Sequence, residues 1–113
     1  MNKLSILASV AFSAALTISG SALAGNAAAG KNKTAMCQGC HGIPGYHASF
    51  PAVFQVPKLG GQHASYLVKA LQAYKSGERS NATMRAIAAS LSEQDMADLA
   101  AYYAADAVKT AGK

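Results

Sequence analysis

The side chains most able to do chemistry lie in one run of five residues, Cys37-Gln38-Gly39-Cys40-His41. Two cysteines at this spacing, near the end of a helix, place both sulfurs on one side, where they can bond the two vinyl groups of a haem. A histidine directly after them can then reach the iron. The pattern Cys-x-x-Cys-His is typical of covalent haem attachment, so it predicts one haem c held by Cys37 and Cys40, with His41 as an iron ligand.

The cysteine pair has two other possible uses. Without the histidine, Cys-x-x-Cys also suits a thioredoxin-like redox dithiol or half of a zinc site. The sequence has two cysteines in total, and no strand-helix-strand pattern surrounds them. Both observations favour haem over a dithiol oxidoreductase or a four-ligand zinc site.

The first residues have the pattern of an export signal. Lys3 gives a positive start, residues 4–18 are apolar and small, and Ser21-Ala22-Leu23-Ala24 offers a cleavage site of the Ala-x-Ala type. The apolar run is shorter than the ~20 residues that a spanning helix needs. We therefore expect residues 1–24 to be a cleaved signal peptide, residues 25–113 to form one periplasmic domain, and no stable membrane insertion after cleavage.

The charge of the chain is mildly basic, with a formal net charge of +5. Nucleic-acid binding needs a concentrated basic stripe and a recognisable module, and the sequence has neither, so we expect no nucleic acid partner. A mildly positive surface is compatible with docking an acidic redox protein, and equally with ordinary solubility, which is the commoner reason for such a charge. The predicted mature chain is long enough for one domain with a modest core.

Helical patterns cover most of the mature chain, and no alternating strand pattern of useful length occurs. Helices are predicted over residues 26–36, running into the cysteine motif, and over residues 62–76, 84–91 and 92–107. Ser92 and Asp95 predict a capping box for the last of them. Gly30 is unexpected inside the first helix, and close approach of another helix would explain it.

Residues 42–61 predict a long loop. They hold all three prolines of the chain, with Tyr46, Phe50 and Phe54 between them. Loops of this length are uncommon in compact domains and are usually functional. We expect this loop to cover an apolar surface such as a haem face.

An iron bound by His41 needs a second protein ligand or keeps an open site. Met36 adjoins the attachment motif, and Met96 lies on the apolar face of the last helix, where methionine usually fills core. Met84 lies between two helices and far along the chain from His41, so its position is the most suitable. As nitrogen ligands, His47 and His63 remain alternatives.

Residues 27–105 resemble the class I c-type cytochromes, particularly the small single-haem periplasmic cytochromes related to one half of the dihaem cytochromes c. The matching positions are residues 28–31, 37–42 and 57–62, Tyr66, Leu67, Leu71, Tyr74, Gly77, Arg79, Met84, Ala88, Leu91, Ser92, Asp95 and residues 99–103. The resemblance implies an all-α fold, with three main helices and one or two short ones around a covalently bound haem. Gly30 would lie where the first and last helices cross, near Tyr102 or Tyr103.

The resemblance also implies individual roles. The carbonyl of Pro57 would accept a hydrogen bond from the second ring nitrogen of His41 and so fix the orientation of the ring. Leu59 would pack against the haem. Residues 43–56 depart from the family pattern, so they imply no specific contact. The thioethers and axial ligands would come from Cys37, Cys40, His41 and Met84.

One-electron transfer between redox proteins of a respiratory chain is the implied function, with electron donor and acceptor proteins as partners. The protein would not be an enzyme, and we expect a monomer or weak dimer. Two alternatives retain the haem. One is an electron-entry haem subunit of a larger oxidoreductase. The other is a five-coordinate gas-binding haem protein in which Met84 only fills core.

Overall fold

The computed structural model describes residues 23–48 and 53–110, with side chains as far as residue 105. Most of the predicted signal peptide and Phe50 of the predicted loop lie outside the described residues. The helices are α1 (Ala27–Lys31), α2 (Ala35–His41), α3 (Ala64–Ser76), α4 (Ala82–Ala89) and α5 (Glu93–Thr110), and the strands are β1 (His47–Ala48) and β2 (Phe54–Gln55). The predicted helical fold class is confirmed.

The long helix α5 is the element on which α1 and α3 pack. It begins with the predicted capping box, because the Asp95 N–H donates to Ser92 Oγ (3.1 Å) and the Ser92 N–H donates to Asp95 Oδ2 (2.9 Å). One face of α5 is buried and supplies most of the core. Its buried apolar side chains are those of Met96, Ala97, Leu99, Ala100 and Tyr103.

The prediction of one continuous first helix is wrong. A turn at residues 32–34 separates α1 from α2. The turn carries Lys33 to α5, where the Lys33 ammonium lies 2.7 Å from a carboxylate oxygen of Asp95 and 2.7 Å from one of Asp98. These two ion pairs favour the turn over a continuous helix, and they join residues far apart in the sequence.

Close contact between α1 and α5 depends on glycine. Gly30 is buried, and a Cβ atom at this position would collide with the backbone carbonyl of Asp98 and come within 2.9 Å of Tyr102 Cβ. Any side chain at residue 30 would therefore push the two helices apart. The crossing expected near Tyr102 is confirmed.

A buried carboxylate, Asp98, ties α1 to α5. The residue is 3% exposed. Its Oδ1 accepts hydrogen bonds from the Asn26 N–H (2.8 Å) and Gln94 Nε2 (2.9 Å), and its Oδ2 accepts one from Lys33 Nζ (2.7 Å). The bond from Lys33, followed by those from Asn26 and Gln94, lowers the pKa of Asp98 from 3.8 to about 2.

The connection from α3 to α4 is set by two caps. Gly77 ends α3 in the left-handed conformation (φ 90°), which glycine adopts without steric cost. Asn81 then caps α4, since its Oδ1 accepts a hydrogen bond from the Met84 N–H (2.9 Å). Helix α4 therefore begins at Ala82, two residues before the predicted start, and it packs on α3.

The described residues between α2 and α3 are mostly loop, as predicted, but they also include a short strand pairing that the sequence did not predict. His47 pairs with Gln55 and Ala48 with Phe54. Val53 and Phe54 of this segment are exposed. Over the described parts of the chain, no helix combines the length and the apolar character needed to cross a membrane.

Candidate haem-binding site

An apolar cleft lies between α2, α3, α4, α5 and the loop segment before α3, and we call it the central cleft. The cleft is open to solvent at its mouth, and apolar and aromatic side chains form most of its walls, as is usual for small-molecule and cofactor sites. Its lining residues are Met36, Cys37, His41, Pro57, Lys58, Leu59, Gln62, Tyr66, Leu67, Ala70, Leu71, Tyr74, Arg79, Met84, Ile87, Leu91, Leu99, Ala100 and Tyr103.

The cysteine motif forms the last five of the seven residues of α2. Helical spacing puts Cys37, Cys40 and His41 on one face, because residues three and four apart are neighbours on a helix. Cys37 lines the central cleft and packs against the buried core, whereas Cys40 is half-buried and is not one of the lining residues. Burial raises the pKa of the Cys37 thiol, opposed by a hydrogen bond with Tyr103. Reactive redox cysteines usually have the opposite shift.

The ring of His41 is oriented by the loop segment opposite α2. Its Nδ1 lies 2.7 Å from the carbonyl oxygen of Pro57, the contact that the family resemblance implied. Since a carbonyl only accepts hydrogen bonds, Nδ1 carries the proton and donates. The Nε2 atom then keeps its lone pair, which is the form of imidazole that binds a metal.

Met84 lines the same cleft as His41. It occupies the first turn of α4, where the hydrogen bond from its N–H to Asn81 Oδ1 fixes its backbone. The side chain is half-buried, whereas that of Met96 is completely buried in the core. The structure thus brings the His41 imidazole and the Met84 thioether to one cleft from different elements.

The other candidate ligands are placed less suitably. Met96 is 0% exposed within the core, and Met36 lines the cleft from α2 but is 51% exposed. His47 and His63 are both exposed and neither lines the cleft. The Nδ1 atom of His47 instead lies 2.8 Å from the carbonyl of Gly45.

Leu59 and Pro57 reach the cleft on the segment that precedes α3. This segment is attached to α5, because the Gly61 N–H donates to the Tyr103 carbonyl (3.2 Å). Leu59 is half-buried and packs against the core cluster. The attachment keeps this segment at the cleft, and the family resemblance implied roles there for both residues, Pro57 toward His41 and Leu59 toward the haem.

Two cations line the otherwise apolar cleft, Lys58 and Arg79, and among its described lining residues there is no Asp or Glu. The guanidinium carbon of Arg79 lies 4.6 Å from the ring centroid of Tyr74, and its Nη1 donates to the Tyr66 hydroxyl at 3.4 Å. No individual role was predicted for Lys58 or Arg79 from the sequence. The sequence marked them only as two of the positions that match the family pattern.

A comparison with protein families identifies the domain. The family model for cytochrome c matches residues 25–104, which is most of the chain. The chain belongs to the cytochrome c family. Cytochromes c hold their haem covalently through the cysteines of a Cys-x-x-Cys-His motif, so this cytochrome c binds haem c through Cys37 and Cys40. An electron-transfer cytochrome exchanges electrons with redox partner proteins.

Curated relatives of this cytochrome c include proteins of two lengths. Cytochrome c4 of Pseudomonas aeruginosa is 46% identical over 72% of the chain, and the match covers 38% of that relative. Cytochrome c-554(548) of Halomonas halodenitrificans is 42% identical over 71% of the chain and covers 95% of the relative. For cytochrome c4 of Azotobacter vinelandii the identity is 42%, covering 71% of the chain and 40% of the relative. The chain thus spans about two fifths of the c4 proteins.

The residues of the central cleft fit a haem. Its walls are apolar and aromatic, as a large flat macrocycle requires. The Cys37 side chain lies at the cleft, and the possible iron ligands there include the His41 imidazole, with its Nε2 lone pair available, and the half-buried thioether of Met84. Histidine and methionine are the axial pair found in cytochromes c.

Proposed function

We propose that this cytochrome c is a one-electron carrier whose haem iron is bound by His41 and Met84. The observation that carries the proposal is the meeting of both side chains in one cleft, with His41 Nδ1 engaged by Pro57. When bound, the haem supplies a reversible Fe(III)/Fe(II) couple. Because the two side chains would occupy both axial positions, no open position would remain for a substrate, which favours electron transfer over catalysis.

The surrounding residues would control this couple. The Pro57 carbonyl holds the His41 ring in one orientation and increases its basicity as a ligand. Leu59 and the aliphatic side chains of α3 and α5 exclude water from the cleft. A thioether from Met84 raises the potential relative to a second imidazole, so we expect a moderately high reduction potential.

Absorption spectra of the holoprotein test the axial ligands. The reduced wild type should show sharp c-type bands, and the oxidised wild type should show the weak far-red band of sulfur-to-iron coordination. Met84→Ala should lose the far-red band. Met36→Ala is the matched control, because Met36 lines the same cleft but is 51% exposed, and it should keep the band. A far-red band that survives in Met84→Ala would overturn the assignment.

Carbon monoxide distinguishes the carrier from a five-coordinate gas-binding protein. The ferrous wild type should resist carbon monoxide because the Met84 thioether blocks the iron, whereas ferrous Met84→Ala should bind it readily. Equally fast binding by both proteins would show an open site and favour the gas-binding alternative.

We further propose that residues 1–24 are removed on export and that residues 25–113 act as one domain in the periplasm, between a donor and an acceptor of a respiratory chain. The apolar run and the Ala-x-Ala site support this. The mass of haem-loaded protein from a periplasmic extract should correspond to a chain that starts at Gly25. A mass that includes the leader would contradict the proposal.

A freely diffusing carrier is also distinguishable from a permanently docked haem subunit. Size-exclusion chromatography of the extract should show the haem protein as a monomer or weak dimer. Elution in a stable complex with a second polypeptide would instead favour the electron-entry subunit.

A further inference from the structure

We propose that Arg79 is the anion-binding residue of the central cleft and that its guanidinium pairs with a propionate carboxylate of the haem. This inference rests on the proposed function, because it assumes that the haem occupies the cleft. It assigns a charge partner to a part of the cofactor that neither the attachment motif nor the axial ligands touch. Three observations support it.

The first observation is that the fold fixes the position of Arg79. The Arg79 N–H donates to the Ala73 carbonyl (3.0 Å), which folds the chain back over the end of α3 after the left-handed Gly77. The guanidinium then stacks on Tyr74 at 4.6 Å and reaches the Tyr66 hydroxyl at 3.4 Å. The backbone bond thus fixes the main chain of Arg79, and the two side-chain contacts with α3 restrict its rotamers.

The second observation is that the described contacts leave most of the donors of Arg79 available. A guanidinium has five N–H donors, and the one described side-chain bond is the long one to the neutral Tyr66 hydroxyl. The ion pairs within the described residues all involve Lys33, so none of them neutralises Arg79. A stacked guanidinium keeps its edge available for bidentate pairing with a carboxylate.

The third observation is the charge of the cleft. Its described lining contains Lys58 and Arg79 but no acidic side chain, and the propionates are the charged groups at the haem periphery. Both cations are exposed, but Arg79 is held by its contacts with Tyr74 and Tyr66, whereas no described contact orients the Lys58 ammonium. Arg79 is therefore the better-positioned partner of the two. Without a cation, a carboxylate at an apolar cleft bears an unfavourable desolvation cost.

Reduction potentials test the pairing. Arg79 partly cancels a negative charge near the iron, so Arg79→Gln should favour the oxidised state and lower the equilibrium constant for reduction about tenfold, which is ~59 mV for a one-electron couple. Arg79→Lys keeps the charge and should recover most of the difference. Lys69→Gln is the matched control, because Lys69 is an exposed cation of α3 outside the central cleft, and it should leave the potential nearly unchanged.

An infrared measurement reports on the carboxylate itself. In protein carrying haem with ¹³C-labelled propionate carboxylates, the labelled carboxylate band should shift in Arg79→Gln and stay in place in Lys69→Gln. Equal potentials and unshifted bands in the two variants would overturn the Arg79 assignment. Absence of the far-red band from the wild-type spectrum would instead overturn the ligation by His41 and Met84. The two proposals therefore fail separately. If Arg79→Gln does not fold, Tyr66→Phe still tests the pairing, with a smaller lowering of the potential expected.

Discussion

Two regions of the molecule differ in what their side chains contact. One is the contact between α1 and α5, and the other is the lining of the central cleft. At the α1–α5 contact, protein groups complete one another: the backbone of Gly30 touches α5, and the Asp98 carboxylate accepts three hydrogen bonds from the chain. Around the cleft, His41 and Met84 face space that the chain leaves unfilled. The first region should therefore set stability, and the second should set the properties of the haem.

The largest effect on stability should come from Met96, a methionine of the core, in contrast to Met84, which lines the cleft. Met96 is 0% exposed, so Met96→Ala should lower the free energy of unfolding by about 2–5 kcal/mol, because it leaves a cavity in the core. The far-red band should remain at neutral pH. Denaturant unfolding of the holoprotein measures the loss. Met96→Leu, which nearly conserves volume, should cost less than about 1.5 kcal/mol. A Met96→Ala protein with unchanged stability but no far-red band would reverse the two roles.

The next effect compares two glycines in short helices. Gly30→Ala should destabilise the protein by about 1–3 kcal/mol, because the added methyl group collides with the Asp98 carbonyl. Gly39→Ala is the control, since a Cβ atom at Gly39 meets nothing within 4 Å. It should be neutral, or stabilising by up to about 1 kcal/mol through helix propensity. Equal thermal stability of the two variants would show that α1 and α5 do not cross closely at Gly30.

The smallest expected effect is the pH dependence of stability that comes from Asp98, which should be almost absent at physiological pH. Its pKa is lowered from 3.8 to about 2 in the folded protein, so folding favours the ionised carboxylate. This contribution to stability is complete above about pH 4 and is lost as the pH falls through about 2. We expect the Asp98 contribution to the unfolding free energy, measured by circular dichroism, to stay constant from about pH 7 to 5 and to fall below about pH 4.

Two variants check the origin of this acid dependence. Asp98→Asn should show a shallower decline below pH 4 than wild type, because the carboxylate that binds Lys33 and Asn26 is absent. Glu78→Gln removes an exposed carboxylate and should follow the wild-type curve. Identical slopes for wild type and Asp98→Asn would place the acid sensitivity elsewhere.

Local sequence signals predicted the elements that local contacts build. The cap of α5 depends on Ser92 and Asp95, three residues apart, and both of its hydrogen bonds are present. The break between α1 and α2 was not predictable in this way, because it accompanies the ion pairs between Lys33 and α5, which join residues 65 positions apart in the case of Asp98. The short strand pairing of β1 and β2 has too few residues to give an alternating pattern.

The site was predictable to different extents. The spacing of Cys37, Cys40 and His41 identifies haem attachment from the sequence alone, because covalent chemistry needs that spacing. The hydrogen bond between His41 and Pro57 was expected only from the family resemblance, since a backbone acceptor has no side-chain signature. Arg79 received no role because its stacking on Tyr74 depends on how the chain turns at Gly77.

The acceptor for His41 has a consequence for sequence variation. The oxygen that fixes the imidazole belongs to the peptide backbone at residue 57, so no point substitution there can delete it. Only a change in the path of the segment can move it, and this path is attached to α5 by the Gly61 N–H. Ligand orientation is therefore protected against point mutation but is sensitive to insertions or deletions between residues 57 and 61.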